Sequence, residues 1–214
     1  MGTDIHIICQ VKKDNVWINN PIKIFKNSSY RFYSDKLPKD RPEWAKEKYT
    51  TDPPNDRHYD WFAVLANVRN GTGFAGIITG DGFNYIDEPR GLPPMFYIDS
   101  DYITPEGVWL GYHSHSYINL EELETFDWNQ VTTKRGSIPI DYYKSLRNTG
   151  NSPSIYAGSC TGPGIITVDE KTADDILDGI MEIEAREIYV DYIWPAIYKD
   201  LFDYEITNII KPMI

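Results

Sequence analysis

Two histidines that lie two residues apart are the strongest chemical signal in this sequence. His113 and His115 end an apolar run that begins at Val108. Because strand side chains alternate between faces, the two imidazoles should share one face at the end of a strand. Imidazoles placed in this way could chelate a metal ion, or could supply a general acid and a general base to one substrate. The alternative is a pair of ordinary polar residues at a strand end.

A helix is predicted directly after this strand. Asn119 can cap the helix N-terminus, and Glu122 follows three residues later, which makes a loose variant of the capping box. The junction between strand and helix is where sites in proteins with mixed strands and helices often lie. We therefore expect the rest of the chain to build a pocket around this junction.

A second candidate pair lies near the start of the sequence. Asp4 and His6 share one face of a predicted strand. A carboxylate beside an imidazole can fix the tautomer of the ring or raise its pKa. The alternative is an edge strand whose polar side faces solvent.

A third group of candidates lies on a predicted helix from Asp56 to Asn70, with Gly71 as its C-terminal cap. Arginine suits phosphate because its planar guanidinium donates two parallel hydrogen bonds. Arg57 lies on the apolar stripe of this helix, so we expect its head group to reach a specific partner. Ordinary surface charge is the alternative. The group consists of Arg57, Tyr59, Asn67, Arg69 and Asn70.

The composition limits the classes of function. The sequence has 214 residues with 16 Tyr and a net charge of −11, which argues against a general nucleic-acid-binding protein. Residues 1–70 carry 12 Lys and Arg against 9 Asp and Glu, a balance of +3, whereas residues 71–214 balance at −14. The first third could thus supply cations to an anionic small ligand. No apolar run is long enough for a membrane span, and two cysteines do not make a disulfide framework, so we expect a cytoplasmic protein.

The pattern of strands and helices predicts an α+β fold with a mixed sheet and several helices, in one compact domain over residues 1–214. A long polar excursion is expected at about residues 27–56, with a helical turn near Glu43–Lys48. Further predicted elements are a hairpin that turns at Lys13-Asp14-Asn15, a helix at 140–147, a strand at 165–168, a helix at 172–186 with Ile180 and Met181 in the core, a strand at 188–194, and a last helix that begins at Pro195.

Several motifs together resemble a largely uncharacterised family of phage-encoded proteins. They cover roughly residues 1–125 and read Met-Gly-x-Asp-Ile-His from Met1, Arg-x-Tyr-Asp-x-Phe-x-x-Leu-Ala-x-Val-Arg-Asn from Arg57, Arg-Gly-Leu-Pro from Arg90, and His-Ser-x-Ser-Tyr-x-x-Leu-x-Glu-Leu from His113. The resemblance implies a phage origin. It also singles out candidate pocket residues, which are Asp4, His6, Arg57, Tyr59, Asn67, Arg69, His113 and Ser116. The family pattern makes no firm demand at His115.

A local stretch around the two histidines is also similar to the zinc isopeptidases of the JAMM (MPN) type. In the register of their motif, the zinc ligands would be His113, His115 and Asp127. Two positions depart from the motif, because Ser116 replaces its proline and Glu124 replaces its serine. A zinc-dependent hydrolase therefore stays as an alternative, with zinc as its cofactor.

The leading hypothesis is a phage counter-defence protein that cleaves a cyclic nucleotide immune messenger in the host cytoplasm, without a metal or another cofactor. His6 and His113 would act as acid and base, Asp4 would orient His6, and Ser116 would belong to the same catalytic group. Ligand-binding roles fall to Arg57, Tyr59, Asn67, Arg69 and His115. The alternative is a non-catalytic sponge that sequesters the messenger. We expect no membrane partner, and the many tyrosines would suit a homo-oligomer interface.

Overall fold

The computed structural model of the chain describes residues 7–51, 53, 58–92 and 115–214. Helices combine with antiparallel and mixed sheets, so the predicted α+β class is confirmed. The chain divides into two compact units, the first made of Met1–Val68, Tyr85–Phe126 and Phe202–Ile214, and the second of Arg69–Asn84 and Asp127–Leu201. That the two units form one domain stays a prediction. No helix within the described ranges is long and apolar enough to cross a membrane.

The first unit begins with a β-hairpin. Strand β1 (Gln10–Lys13) pairs antiparallel with β2 (Val16–Asn19), as predicted. Asp14 and Asn15 form the turn with φ angles of 49° and 64°. Asn and Asp tolerate this left-handed conformation, and a two-residue hairpin loop of this type matches the twist of the strands.

The polar excursion is tied at its base by a small sheet. Strand β3 (Phe25–Lys26) pairs antiparallel with β4 (Tyr49–Thr50). The side chain of Asn27 donates to the carbonyls of Trp44 and Glu47 at 2.8 and 2.9 Å. A 3₁₀ turn at Glu43–Ala45 confirms the helical turn expected near this position. The elements of the excursion are β3 (Phe25–Lys26), α1 (Ser28–Phe32), 3₁₀ turns at Pro38–Asp40 and Glu43–Ala45, and β4 (Tyr49–Thr50).

Helix α2 (Tyr59–Ala66) is shorter than the predicted helix. Asn67 adopts a left-handed φ of 50°, and its N–H donates to the carbonyl of Ala63 at 2.9 Å. Arg69 is also left-handed, with a φ of 54°. A left-handed residue ends a helix, so the predicted extension to Asn70 with Gly71 as the cap is wrong.

The remaining helices of the first unit are short. They are α3 (Leu120–Thr125), α7 (Asp203–Glu205), a π-helical turn at Ile206–Ile210, and α8 (Lys211–Met213). The C-terminal segment packs against the N-terminal strands, where Cys9, Phe25 and Ile209 form a buried cluster.

The second unit is built on a three-stranded mixed sheet, as predicted. Its strand order is β5 (Val131–Pro139), β7 (Glu187–Ile197) and β6 (Ile165–Asp169), with β7 antiparallel to β5 and parallel to β6. The parallel pair needs a crossover connection, which helix α5 (Glu170–Leu177) provides. The elements are β5 (Val131–Pro139), α4 (Ile140–Leu146), β6 (Ile165–Asp169), α5 (Glu170–Leu177), β7 (Glu187–Ile197) and α6 (Tyr198–Leu201).

One face of this sheet carries the core of the second unit. Ile138, Val190 and Trp194 from the strands are buried against Leu146 of α4 and Ala173 of α5. Helix α4 ends one residue before the predicted position, so the sequence pattern located it well. Burial of a large apolar side chain contributes about 1.5–3 kcal/mol, so this cluster is a main source of stability for the unit.

Two predictions for the second unit are wrong. Helix α5 ends at Leu177 because Gly179 is left-handed with a φ of 74°, and Ile180 is therefore 74% exposed rather than in the core. Met181 is also exposed. Pro195 does not begin a helix but lies within β7 opposite Thr133. Strand β6 pairs with β7 only as far as Asp191, so Pro195 lies where one edge of β7 is open and proline is tolerated.

Candidate functional site

The N-terminus of α3 is capped as the sequence predicts. The Asn119 side chain accepts a hydrogen bond from the Glu122 N–H at 2.9 Å, and Glu122 Oε2 accepts one from the Asn119 N–H at 2.8 Å. This reciprocal capping box fixes the Glu122 carboxylate at the start of the helix. Its other oxygen, Oε1, accepts a hydrogen bond from the Arg90 guanidinium at 2.8 Å.

Arg90 forms ion pairs with two carboxylates and covers an aromatic ring. Its guanidinium contacts Asp87 and Glu122 and lies 5.0 Å from the centroid of the Tyr117 ring. The hydrogen bond to Glu122 raises the pKa of Arg90. Burial alone would raise the pKa of Glu122, but the hydrogen bonds from Arg90 and from the Asn119 N–H outweigh it, so that pKa is lowered. Arg90 thus fastens its own segment to α3.

The segment around Arg90 also contacts two of the predicted site residues. The Gly91 N–H donates to the carbonyl of His115 at 3.0 Å. Ser116 Oγ accepts from the Arg90 N–H and donates to the Glu88 carbonyl, both at 3.5 Å. Arg90 and Gly91 of one motif are therefore in contact with His115 and Ser116 of the other.

A third predicted site residue reaches the same segment from α2. The Asn67 side-chain amide donates to Glu88 Oε1 at 2.8 Å, and the hydroxyl of Tyr85 donates to the same oxygen at 2.8 Å. The hydrogen bond to Glu88 raises the pKa of Tyr85. Residues 85–91, with Asn67 on one side and residues 115–122 on the other, form a polar cluster that we call the Arg90 junction. Asn67, His115 and Ser116 thus meet at one segment.

The other described candidates lie elsewhere. Tyr59 is half-buried as the first residue of α2. Arg69 comes after α2 in the chain and belongs to the second unit. Its carbonyl accepts a hydrogen bond from the Thr72 N–H at 3.3 Å. The remaining predicted residues lie outside the described residues, and their roles stay predictions. They are Asp4, His6, Arg57 and His113.

The third ligand of the zinc alternative has a local partner. Asp127 Oδ1 accepts hydrogen bonds from the N–H and the side-chain amide of Asn129 at 2.9 and 3.4 Å, so this carboxylate closes its own turn. Within the part of the chain that the structure describes, no three His, Cys, Asp or Glu side chains are grouped to hold a metal ion. Because His113 lies outside that part, the zinc alternative stays a prediction.

The sequence reasoning did not assign roles to Arg90 and Glu88, which organise the junction. A signal was present, because Arg90 belongs to a motif of the phage-family resemblance. Comparison with known proteins adds no further assignment, since no family model, curated protein or solved structure matches the chain significantly.

Proposed function

We propose that the protein is a phage counter-defence factor that recognises a cyclic nucleotide immune messenger and cleaves it. The observation that carries this proposal is the meeting of Asn67, His115 and Ser116 at the Arg90 junction. Asn67 lies within the motif that begins at Arg57, whereas His115 and Ser116 lie within the motif that begins at His113. Their meeting supports one shared site built from these two motifs. Carboxylates, amides and hydroxyls at such a site suit the polar groups of a nucleotide.

The proposed chemistry needs no metal. Arg57 would hold the phosphates, and Tyr59 would stack on a base. One imidazole, from His6 or His113, would take the proton of a ribose 2′-hydroxyl as that oxygen attacks phosphorus. The other would give a proton to the 5′-oxygen that leaves when its bond to phosphorus breaks, which produces a 2′,3′-cyclic phosphate end.

The test is incubation of the pure protein with cyclic di- and trinucleotides and cyclic ADP-ribose isomers, followed by chromatography before and after heat denaturation. Cleavage predicts loss of a messenger and a new product that survives heating. His113→Asn should abolish this turnover, because asparagine cannot exchange the proton. A messenger that returns intact after heating would show a sponge, which retains recognition but contradicts cleavage. Messengers that are neither changed nor bound would contradict the whole proposal.

Asp127→Asn is the matched variant for the zinc alternative. Asparagine keeps the side-chain oxygen that accepts the hydrogen bond from the Asn129 N–H, so the turn should persist. Metal-independent cleavage predicts unchanged turnover in this variant, also in the presence of EDTA. A zinc hydrolase predicts loss of turnover in both cases, because the variant lacks a carboxylate ligand and EDTA removes the zinc ion.

A further inference from the structure

The second unit contains a cavity that none of the sequence motifs touches. Its volume is about 610 Å³, which is in the range of cavities that hold small organic ligands. Strands β5 and β7, the loop that precedes β6, and helix α6 form its walls. The polar and aromatic side chains that line it include Lys134, Ser152, Tyr156, Trp194 and Asp200.

A lysine brings positive charge to this cavity. Lys134 is only 5% exposed, and its ammonium lies 5.7 Å from the centroid of the Tyr156 ring and 5.9 Å from that of Phe83. Lys134 pairs with Trp194 across the two strands, so both side chains lie on the same face of the sheet. An ammonium near the faces of aromatic rings is attracted to their electrons, and its positive charge can also attract an anionic group.

The aromatic wall is held in place by close packing. Tyr156 and Trp194 meet edge to face with a centroid distance of 5.0 Å. Gly136 makes room for this arrangement, because a Cβ atom there would lie 2.8 Å from Tyr156 Cδ2 and 2.9 Å from the Ala157 carbonyl oxygen. Tyr156 is 44% exposed, whereas Trp194 is 4% exposed, so Tyr156 offers the ring surface to a ligand.

We propose that this cavity binds a planar aromatic anion of mononucleotide size. The ring would lie against Tyr156, and the anionic group would reach the ammonium of Lys134. Ser152 and Asp200 would form hydrogen bonds with the hydroxyl groups of the ligand, because a hydroxyl can donate to a carboxylate. This site lies within the second unit and does not depend on the proposed messenger chemistry.

Isothermal titration of the full chain with adenosine 5′-monophosphate tests the proposal. Adenosine and inorganic phosphate serve as the two halves of the ligand. We expect the nucleotide to bind about tenfold tighter than either half, since ring and anion act together. Lys134→Met should lower the affinity for the nucleotide about tenfold and leave the affinity for adenosine unchanged. Lys171→Met makes the same chemical change on the surface of the same unit and should not alter binding.

Two results would overturn this inference. One is a wild-type chain that does not bind the nucleotide, and the other is a folded Lys134→Met variant that binds it as well as wild type does. If circular dichroism shows that this variant is unfolded, the Tyr156→Leu variant is used for the test instead. Loss of the ring should lower the affinity for both the nucleotide and adenosine. In that case, unchanged affinity of the Tyr156→Leu variant takes the place of the second result. None of these results bears on the messenger assay, which depends on His113.

Discussion

Arg90 and Lys134 both lie against aromatic rings, but they differ in burial and in whether they line a cavity. Arg90, in the first unit, is 20% exposed and contacts the carboxylates of Asp87 and Glu122. Lys134, in the second unit, is more deeply buried, lies near two rings and lines a cavity. A cation that forms ion pairs with carboxylates of two segments holds those segments together. A buried cation that lines a cavity is instead a candidate for binding a ligand.

The largest effect is expected from Gly136→Ala, which sharpens the description of the cavity wall. The added methyl group would press on the Tyr156 ring and the Ala157 carbonyl, and overpacking of this kind destabilises a fold by about 1–3 kcal/mol. We expect the free energy of unfolding, measured in urea, to fall by an amount near the upper end of this range. The affinity for the nucleotide should also be lower. Gly158→Ala is the control, because a Cβ atom there meets only Ile77 at 3.5 Å. Equal stability of the two variants would contradict the packing argument.

Arg90→Met should lower the free energy of unfolding by about 1–2 kcal/mol. The change leaves Asp87 and Glu122 beside each other without their shared cation, and both carboxylates are only partly exposed. Urea unfolding measures the difference. Arg186→Met removes a cation whose ion pair with Glu187 is on the surface, and it should change stability by less than about 0.5 kcal/mol. An Arg90→Met variant that is as stable as this control would contradict a stabilising role for the ion pairs of Arg90.

Lys134→Met should change the free energy of unfolding by less than about 1 kcal/mol. Methionine fills a similar volume and removes the desolvation cost of an ammonium, and we expect this gain to offset the polar contacts that the ammonium makes. This prediction contrasts directly with Arg90→Met. A Lys134 variant that loses as much stability as the Arg90 variant would break the comparison, because it would make both cations structural.

The smallest effect concerns the pH dependence of Glu122. Its pKa in the folded chain lies below the ordinary value of 4.5, so its contribution to stability is present above pH 4.5 and is lost as the pH falls through the folded-state pKa. Glu122→Gln should therefore lower stability by about 0.5 kcal/mol at neutral pH, and this loss should disappear once the pH is below the folded-state pKa. Glu121→Gln, an exposed neighbour in the same helical turn, is the control for urea unfolding. A deficit that persists in acid would contradict the assignment.

The sequence predicted those features that depend on local signals. The hairpin at Asp14 and Asn15, the capping box at Asn119 and helix α4 all follow from a few adjacent residues. The α+β class and the mixed sheet follow from the order of these elements.

Predictions that depend on one backbone angle or on distant packing were wrong. The ends of α2 and α5 are set by the left-handed Asn67 and Gly179, and Pro195 continues a strand because the edge there is open. In the candidate site, Asn67 and Ser116 were selected from the family resemblance, and His115 was selected from its spacing to His113. Arg90 and Glu122 also lie in motifs, but their ion pair could not be predicted, because it depends on how separate segments pack.

The most direct test of the proposed function is the fate of one messenger in a mixture that contains EDTA. The account predicts that a cyclic nucleotide disappears and that a product with a 2′,3′-cyclic phosphate end survives heating, detected by chromatography with mass spectrometry. Recovery of every messenger, unchanged and unbound, would contradict the account.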